Sequence, residues 1–121
     1  MASTGGSAYN AGTSKRISHG VVAIYKEYLG RGPTTARTTI SDNLVVTVLE
    51  DSLTKAERSL VGQGEADTVR SIRRKFQAAM SEDVTKLVEE VTGRTSRTML
   101  SDHDVEEDIA VEMVVLEPAR D

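Results

Sequence analysis

Residues 69–91 constrain the fold of this chain most strongly, because they carry one apolar face over about six helical turns. Apolar residues recur in this segment at steps of three and four, the spacing of an amphipathic helix. They are Val69, Ile72, Phe76, Met80, Val84, Leu87, Val88 and Val91. Gly93 follows as a C-terminal stop. The cap-like string SEDV at 81–84 leaves open a kink or a break into two helices.

Strand patterns lie on both sides of this helix. Before it, ARTTI and LVVTVLE are rich in β-branched residues and are separated by SDN, whose small polar residues suit a tight turn. After it, RTSRTML and IAVEMVVLE repeat the pattern around the polar stretch SDHDVEED, and Pro118 ends the last strand. Each pair predicts a β-hairpin. In the second strand, Val45, Thr47 and Leu49 share one face.

Two further helices are predicted. An apolar stripe runs from Lys15 to Leu29, with Ser14 as the N-cap and Gly30 just after the last turn. Thr54 and Glu57 have the spacing of a capping box, in which the hydroxyl and the carboxylate satisfy free amides at a helix start. The short helix that follows ends near Gly62.

These elements predict an α+β fold. The two hairpins form a four-stranded antiparallel sheet, and the N-terminal helix and the long central helix pack on one face. Residues 1–14 are predicted to be a disordered tail, residues 15–118 a single domain and residues 119–121 a second tail. The sheet holds more apolar residues than one helical layer covers, namely Val45, Leu49, Val114 and Leu116. We therefore expect its exposed face to form a homodimer.

Composition restricts the function classes. The chain has no cysteine, which excludes disulfides, thiolate metal ligands and cysteine nucleophiles. The longest apolar runs are shorter than the ~20 residues of a membrane helix, and residues 1–14 lack the features of a secretory signal. We expect a cytoplasmic protein. Only 3% of the residues are aromatic, and acids concentrate in residues 101–121, so nucleic acid is not the expected partner.

A series of motifs along the chain resembles the MpsC-like family of small bacterial proteins. They are Glu27-Tyr28, the turn Gly30-Arg31-Gly32-Pro33, Arg37 at the first strand, Leu53-Thr54 with Glu57, and Arg74 after Gly64. Their order and spacing carry the resemblance, which covers residues 17–116. It implies a cytoplasmic component associated with a sodium-translocating, membrane-potential-generating system, and no known activity for most members.

The string GRGP raises the question of a phosphate-binding loop. In a Walker-type loop the glycines follow a strand and open a helix, whereas here they follow a helix and lead into a strand. Gly30 and Pro33 account for most of the string as a corner between the two elements. What remains for function is the pair Arg31 and Arg37, because guanidinium groups bind carboxylates and phosphates.

The segment RSIRRKF is a second basic candidate, because helical spacing places Arg70, Arg73 and Arg74 in one sector. The alternative is a solvated helix face paired with acids such as Glu65 and Asp67. The predicted anion-binding set is Arg31, Gly32, Arg37, Arg70 and Arg74.

No sequence pattern predicts catalysis. His103 and the nearby acids match neither a zinc nor a calcium register, so we interpret residues 101–108 as a flexible acidic hairpin loop. No His, Ser and Asp set suggests a nucleophilic triad, and we predict no catalytic residue, metal site or cofactor. The preferred hypothesis is a non-catalytic interaction or regulatory protein with a partner in a membrane-energising system. The alternative is a module that binds a small anion or a nucleic-acid backbone through the arginines.

Overall fold

The structure is a computed structural model that describes residues 11–119. Its elements in chain order are α1 (Ala11–Leu29), β1 (Thr35–Ser41), β2 (Leu44–Glu50), α2 (Lys55–Gly62), α3 (Ala66–Thr92), β3 (Ser96–Asp104) and β4 (Ile109–Leu116). The strands form one antiparallel sheet in the order β1-β2-β4-β3. The predicted α+β fold with a four-stranded antiparallel sheet is confirmed.

Helix α1 begins at Ala11 rather than after Ser14. Residues 11–14, predicted as part of the tail, are therefore its first turn, and residues 1–10 of that predicted tail lie outside the described part of the chain. The helix stops at Gly30 as predicted: this residue has a left-handed φ of 83°, and its N–H donates to the carbonyl of Lys26 at 2.9 Å. Along the helix, a Cβ at Gly20 would lie 2.5 Å from Leu87, so the missing side chain lets α1 approach α3 closely.

Helix α3 runs without a break through SEDV, so the division into two helices does not occur. Its buried stripe consists of Val69, Arg73, Gln77, Met80, Val84 and Val88. The predicted apolar face is wrong at Ile72, which is 37% exposed, because the stripe passes through Arg73 and Gln77 instead. Gly93 ends the helix in the left-handed conformation, as predicted.

The capping box of α2 is confirmed. The Thr54 hydroxyl accepts from the Glu57 amide at 3.1 Å, and the Glu57 carboxylate accepts from the Thr54 amide at 2.8 Å. Glu57 is thereby fixed at the first turn of α2, and its Oε2 atom accepts a hydrogen bond from α3. The capping box therefore positions a carboxylate that is hydrogen-bonded in the interior.

The polar stretch at residues 101–108 differs from the prediction. It is not a flexible loop throughout, because β3 continues to Asp104 and only residues 105–108 connect it to β4. His103 faces the interior and is buried, as is Val105 in the turn. Alternation along β3 explains the difference: every second side chain of this stretch points to solvent and the others point to the helices.

Helices α1 and α3 cover one face of the sheet. The core between the layers joins residues of α1, such as Val21 and Tyr25, to residues of α3 and of the central strands β2 and β4. A second small cluster lies at the end of the sheet, where Leu53, Val69 and Val105 pack against α2. The predicted assignment of apolar strand residues to the outer face is wrong. Val45, Leu49, Val114 and Leu116 are buried beneath the helices.

Candidate functional site

The sheet surface opposite the helices presents a regular grid of outward side chains. Residues opposed in an antiparallel pair lie on the same face, so the strand register defines four rows that run from β1 to β3. In this order the rows are Thr35, Glu50, Ile109, Asp104; Arg37, Val48, Val111, Asp102; Thr39, Val46, Met113, Leu100; and Ser41, Leu44, Val115, Thr98. We call these residues the open face.

The middle of the open face is apolar. The central strands β2 and β4 contribute valine, leucine, isoleucine and methionine to it, apart from Glu50 at one end. Leu100 is 59% exposed, Ile109 38% and Leu44 37%. No helix or connection within residues 11–119 packs against this surface, since both apolar clusters lie on the other side. Contiguous apolar patches of a few hundred Å² on a protein surface are often functional, so this one is a candidate interaction surface.

Charges on the open face are separated between its two edges. Arg37 lies on the edge strand β1, whereas Asp102 and Asp104 lie on the opposite edge strand β3. Arg37 and Asp102 are the two ends of the same row. Among the described residues, Arg37 has neither an ion-pair nor a hydrogen-bond partner, so its charge is available to another molecule.

The remaining predicted anion-binding residues lie elsewhere. Arg31 donates to the carbonyl of Leu53 and lies 3.6 Å from Asp51, so it ties the α1–β1 connection to the β2–α2 connection. Gly32 packs against α1, where an added Cβ would lie 3.1 Å from Val22. The GRGP string therefore forms a corner that is held by an arginine.

Arg70 and Arg74 occupy two further places on α3. Arg70 pairs with Asp67 and lies 3.8 Å from Glu106, as the solvated-face alternative predicted. Arg74 borders a shallow groove between α3 and β3, beside Met99 and Ser101. Because Arg37 is on the other side of the sheet, the structure does not bring the five predicted residues to one site.

Arg73 is the basic residue that the sequence interpretation misplaced. It is 1% exposed and does not share a solvent-facing sector with Arg70 and Arg74. Its Nε donates to Glu57 at 2.9 Å, and its Nη2 donates to the second oxygen of Glu57 at 2.7 Å and to the Ser52 carbonyl at 2.6 Å. Burial alone raises the pKa of Glu57, but the bonds from Arg73 and Thr54 outweigh it and hold the pKa below its ordinary value.

His103 and Asp108 form a second buried contact beside this ion pair. The imidazole Nε2 lies 3.0 Å from the Asp108 carboxylate, which also accepts from the amides of Ser52 and Leu53. Burial lowers the pKa of His103, although the hydrogen bond to Asp108 opposes that shift. His103 is therefore neutral near pH 7 and links the β3–β4 turn to the β2–α2 connection.

A polar layer crosses the inner side of the sheet. One register row there consists of Thr38, Thr47, Glu112 and Ser101, one residue from each strand. Ser18, Thr38 and Thr47 form a chain of hydroxyl hydrogen bonds of 2.7 and 2.8 Å. Sequence patterns did not predict this layer, since single polar residues inside apolar strands give no sign of the row that they share.

Glu112 is the centre of that layer and is 2% exposed. It accepts from the Tyr25 hydroxyl at 2.5 Å, from the Gln77 amide at 3.3 Å and from the Ser101 hydroxyl. Burial raises the pKa of Glu112, and burial together with the neighbouring Glu112 raises that of Tyr25. The bonds from Tyr25 and Gln77 to Glu112 hold α1 and α3 to the sheet.

No group of His, Asp and Glu side chains within residues 11–119 is arranged to hold a metal ion. None of the helices in that range combines the length and apolarity required to cross a bilayer.

Comparison with protein families identifies the group to which this domain belongs. A family model described as "Na+-translocating membrane potential-generating system (MpsC)" matches residues 12–118. The chain belongs to the MpsC family. Neither the curated proteins nor the solved structures contain a significant match to it. The MpsC match includes all the helices and strands from the first turn of α1 onward, so it contains the open face and both buried polar groups.

The buried carboxyl of this MpsC-family domain predicts a pH dependence. As pH rises above 4.5, the ordinary pKa of a glutamate, the wild-type protein is expected to lose stability relative to Glu112→Gln. The folded state retains a proton that the unfolded chain releases, so raising the pH favours unfolding through this group. Urea unfolding of both proteins between pH 4 and 8 measures the difference. The exposed Glu90→Gln is the control, and a pH-independent difference for Glu112→Gln would contradict the prediction.

Proposed function

We propose that this MpsC-family chain is a non-catalytic, cytoplasmic accessory protein of a Na+-translocating, membrane-potential-generating system, and that it acts as a homodimer joined through the open face. The family description supplies the system. The observation that carries the proposal is the apolar centre of the open face, formed by two central strands that no described element covers.

The size of the open face suits a protein partner. Four strands spaced about 4.8 Å apart, with seven residues each rising about 3.4 Å, span about 19 Å by 24 Å. Their projected area is within a factor of two of the ~800 Å² that each partner contributes to a specific interface. Two such sheets packed face to face form a β-sandwich about 10 Å thick, a common way for a single-sided sheet to bury its second face.

The interior supports the non-catalytic part of the proposal. The Glu57 carboxylate and the carboxyl group of Glu112 are bound by donors from neighbouring elements, which connects α2 to α3 and α3 to β4. The buried Arg73 is directed at Glu57 and Ser52. These interior groups have structural contacts that hold the layers together. The open face therefore remains as the surface available for function.

Anion binding by the arginines remains the alternative and has less structural support. Arg31 and Arg70 are engaged with acids of the same chain, and Arg37 and Arg74 lie on opposite sides of the sheet. Arg37 and Arg74 therefore do not bind one small anion together. The position of Arg37 at the edge opposite Asp102 on the open face fits a role in association better than a role in anion binding.

A cell lacking its own copy of this gene provides the functional test, with membrane potential measured by a voltage-sensitive dye in sodium-containing medium. Loss of the gene is expected to lower the potential, and the wild-type gene to restore it. Leu44→Glu on the open face is expected to fail, whereas Ile72→Glu on α3 is expected to restore it. The two side chains are equally exposed, at 37%, so the pair isolates the open face from the cost of a surface charge.

Two results would overturn the proposal. An unchanged membrane potential in the deletion strain would show that the protein does not contribute to the potential-generating system. Restoration by Leu44→Glu to the wild-type level would show that the open face is dispensable. Immunoblots check that both variants accumulate to equal amounts. A variant that then fails to restore the membrane potential has lost association and not protein.

A further inference from the structure

We infer that the two-fold axis of the homodimer runs parallel to the strands, midway between β2 and β4, so that β1 of each subunit lies over β3 of its partner. This inference rests on the proposed homodimer and specifies its arrangement. It follows from the distribution of charge and shape over the rows of the open face.

Two copies of one face can be stacked around a two-fold axis in two simple ways. The axis lies in the plane between the sheets, because an axis perpendicular to them would leave both in one layer. An axis along the strands exchanges the left and right edges and keeps each row over itself. An axis across the strands places every strand over its own copy and exchanges the rows. Aligned sheets in sandwiches deviate from these ideals by about 30°.

Charge favours the axis along the strands. In that arrangement Arg37 lies over the partner's Asp102, because the two residues end the same row on opposite edges. The symmetric contact forms at the other edge, so each dimer gains two such pairs. Opposite charges at the rim select the register and suppress wrong arrangements.

The axis across the strands leaves the edge charges unpaired. It stacks β3 on the partner's β3 and exchanges the rows, so Asp102 lies over the partner's Leu100 and Asp104 over the partner's Thr98. It also leaves Arg37 over a strand whose outward residues are threonine, serine and arginine. Charged groups covered without a partner disfavour an interface strongly, because desolvation is not repaid.

The apolar rows also match under the favoured axis. Val48 lies over the partner's Val111, Val46 over the partner's Met113, and Leu44 over the partner's Val115. Thr39 on one edge lies over the partner's Leu100, which is the most exposed large apolar side chain of the described residues. In these three rows the central strands therefore place apolar groups over apolar groups. In the remaining row, at one end of the face, Glu50 lies over the partner's Ile109. An apolar centre with a polar rim is typical of specific interfaces.

Cysteine crosslinking tests the axis directly, because the full-length chain has no cysteine of its own. Thr39→Cys and Leu100→Cys introduce one thiol on each edge of the same row. The two edges are about 14 Å apart within one subunit, since they are separated by three strand spacings. Each chain carries one thiol, so every crosslink joins two subunits. Under the favoured axis two thiols of the same kind lie on opposite edges, beyond the reach of a short bismaleimide.

The expected pattern depends on which chains are mixed. An equimolar mixture of the Thr39→Cys chain and the Leu100→Cys chain gives a crosslinked dimer on a denaturing gel, and neither chain alone does. Crosslinking of a single variant with itself would place like strands over one another and overturn the axis, while leaving the homodimer intact. A wild-type protein that sediments as a dimer, with no crosslink in any sample, would show that the dimer interface lies outside the open face. A monomeric wild-type protein, for instance one whose residues 1–10 cover the face, would overturn the homodimer itself.

Charge reversal gives a second readout of the same contact. Arg37→Asp is expected to weaken dimerisation about tenfold, because the change occurs at both rims of the symmetric dimer. Adding Asp102→Arg in the same chain is expected to restore the affinity, which a merely local effect of either substitution would not do. Arg74→Asp, away from the open face, is the control. Equal weakening by the single and double variants would contradict the pairing.

Discussion

Replacing Arg73 with alanine is expected to lower the free energy of unfolding by about 3–5 kcal/mol, because it leaves the Glu57 carboxylate without its buried partner. The side chain of Arg73 is 1% exposed and that of Glu57 12%. The substitution also removes the bond from Nη2 to the Ser52 carbonyl. Urea unfolding followed by circular dichroism measures the loss.

The neighbouring Arg74 supplies a matched control, since it is the same residue type on the same helix but is exposed. Arg74→Ala is expected to change stability by less than about 0.5 kcal/mol. Similar losses for the two variants would contradict the assignment of Arg73 to the interior. The double variant Arg73→Met/Glu57→Met is expected to recover much of the loss, because a well-packed apolar pair avoids the cost of burying charge.

Leu44→Glu is expected to raise the dimer dissociation constant by about 100-fold or more, because each subunit then carries an unpaired carboxylate into an apolar interface. The change does not disturb the core, since Leu44 is 37% exposed and points away from the helices. Sedimentation velocity over a range of concentrations measures the dissociation constant.

Ile72→Glu is the control for that variant, because an aliphatic side chain of the same exposure is replaced by the same glutamate. It is expected to leave the dissociation constant within about twofold of the wild-type value, because Ile72 lies on α3 on the other side of the sheet. If both variants weaken association equally, a general effect of added negative charge accounts for the result and the open face does not.

The local elements of this fold follow from local signals. The capping box at Thr54 and the stop glycines at positions 30 and 93 act within one or two turns of the chain, and the structure places them as predicted. The order β1-β2-β4-β3 does not follow from such signals. It requires β2 to pair with β4 across α2, the 27 residues of α3 and β3, and nothing in either strand alone specifies that pairing.

The two faces of the sheet were assigned wrongly from sequence for a physical reason. Along β2 and β4, residues of both alternation phases are mostly aliphatic, so a period of two does not identify the buried side. The inner phase even contains the polar residues Thr47 and Glu112, which are buried because donors from the helices satisfy them. Hydrophobicity alone therefore predicts burial of the face that is exposed in the structure.

Arg73 illustrates the same difficulty on a helix. The residues buried along α3 recur at positions 69, 73, 77, 80, 84 and 88, a regular series that includes an arginine and a glutamine. Reading the stripe as apolar positions only shifts it to Ile72 and Phe76. The partner that makes Arg73 a core residue, Glu57, lies on another helix, and only the folded chain brings the two together.

The buried polar layer contributes to the uniqueness of the fold. A slip of one residue in the pairing of β4 would move Glu112 onto the open face and remove it from Tyr25 and Gln77. It would also move Val111 and Met113 against the helices. The correct register is the one in which this carboxyl group meets its three donors, so the layer specifies which face of the sheet remains open.

Sedimentation equilibrium of the wild-type protein measures the number of associated chains. We expect a mass of twice 13.1 kDa at micromolar concentration, with Leu44→Glu shifted toward the single-chain mass and Ile72→Glu unchanged. A wild-type mass of one chain throughout that range, or a dimer that Leu44→Glu leaves intact, would contradict the claim that two copies associate through the open face.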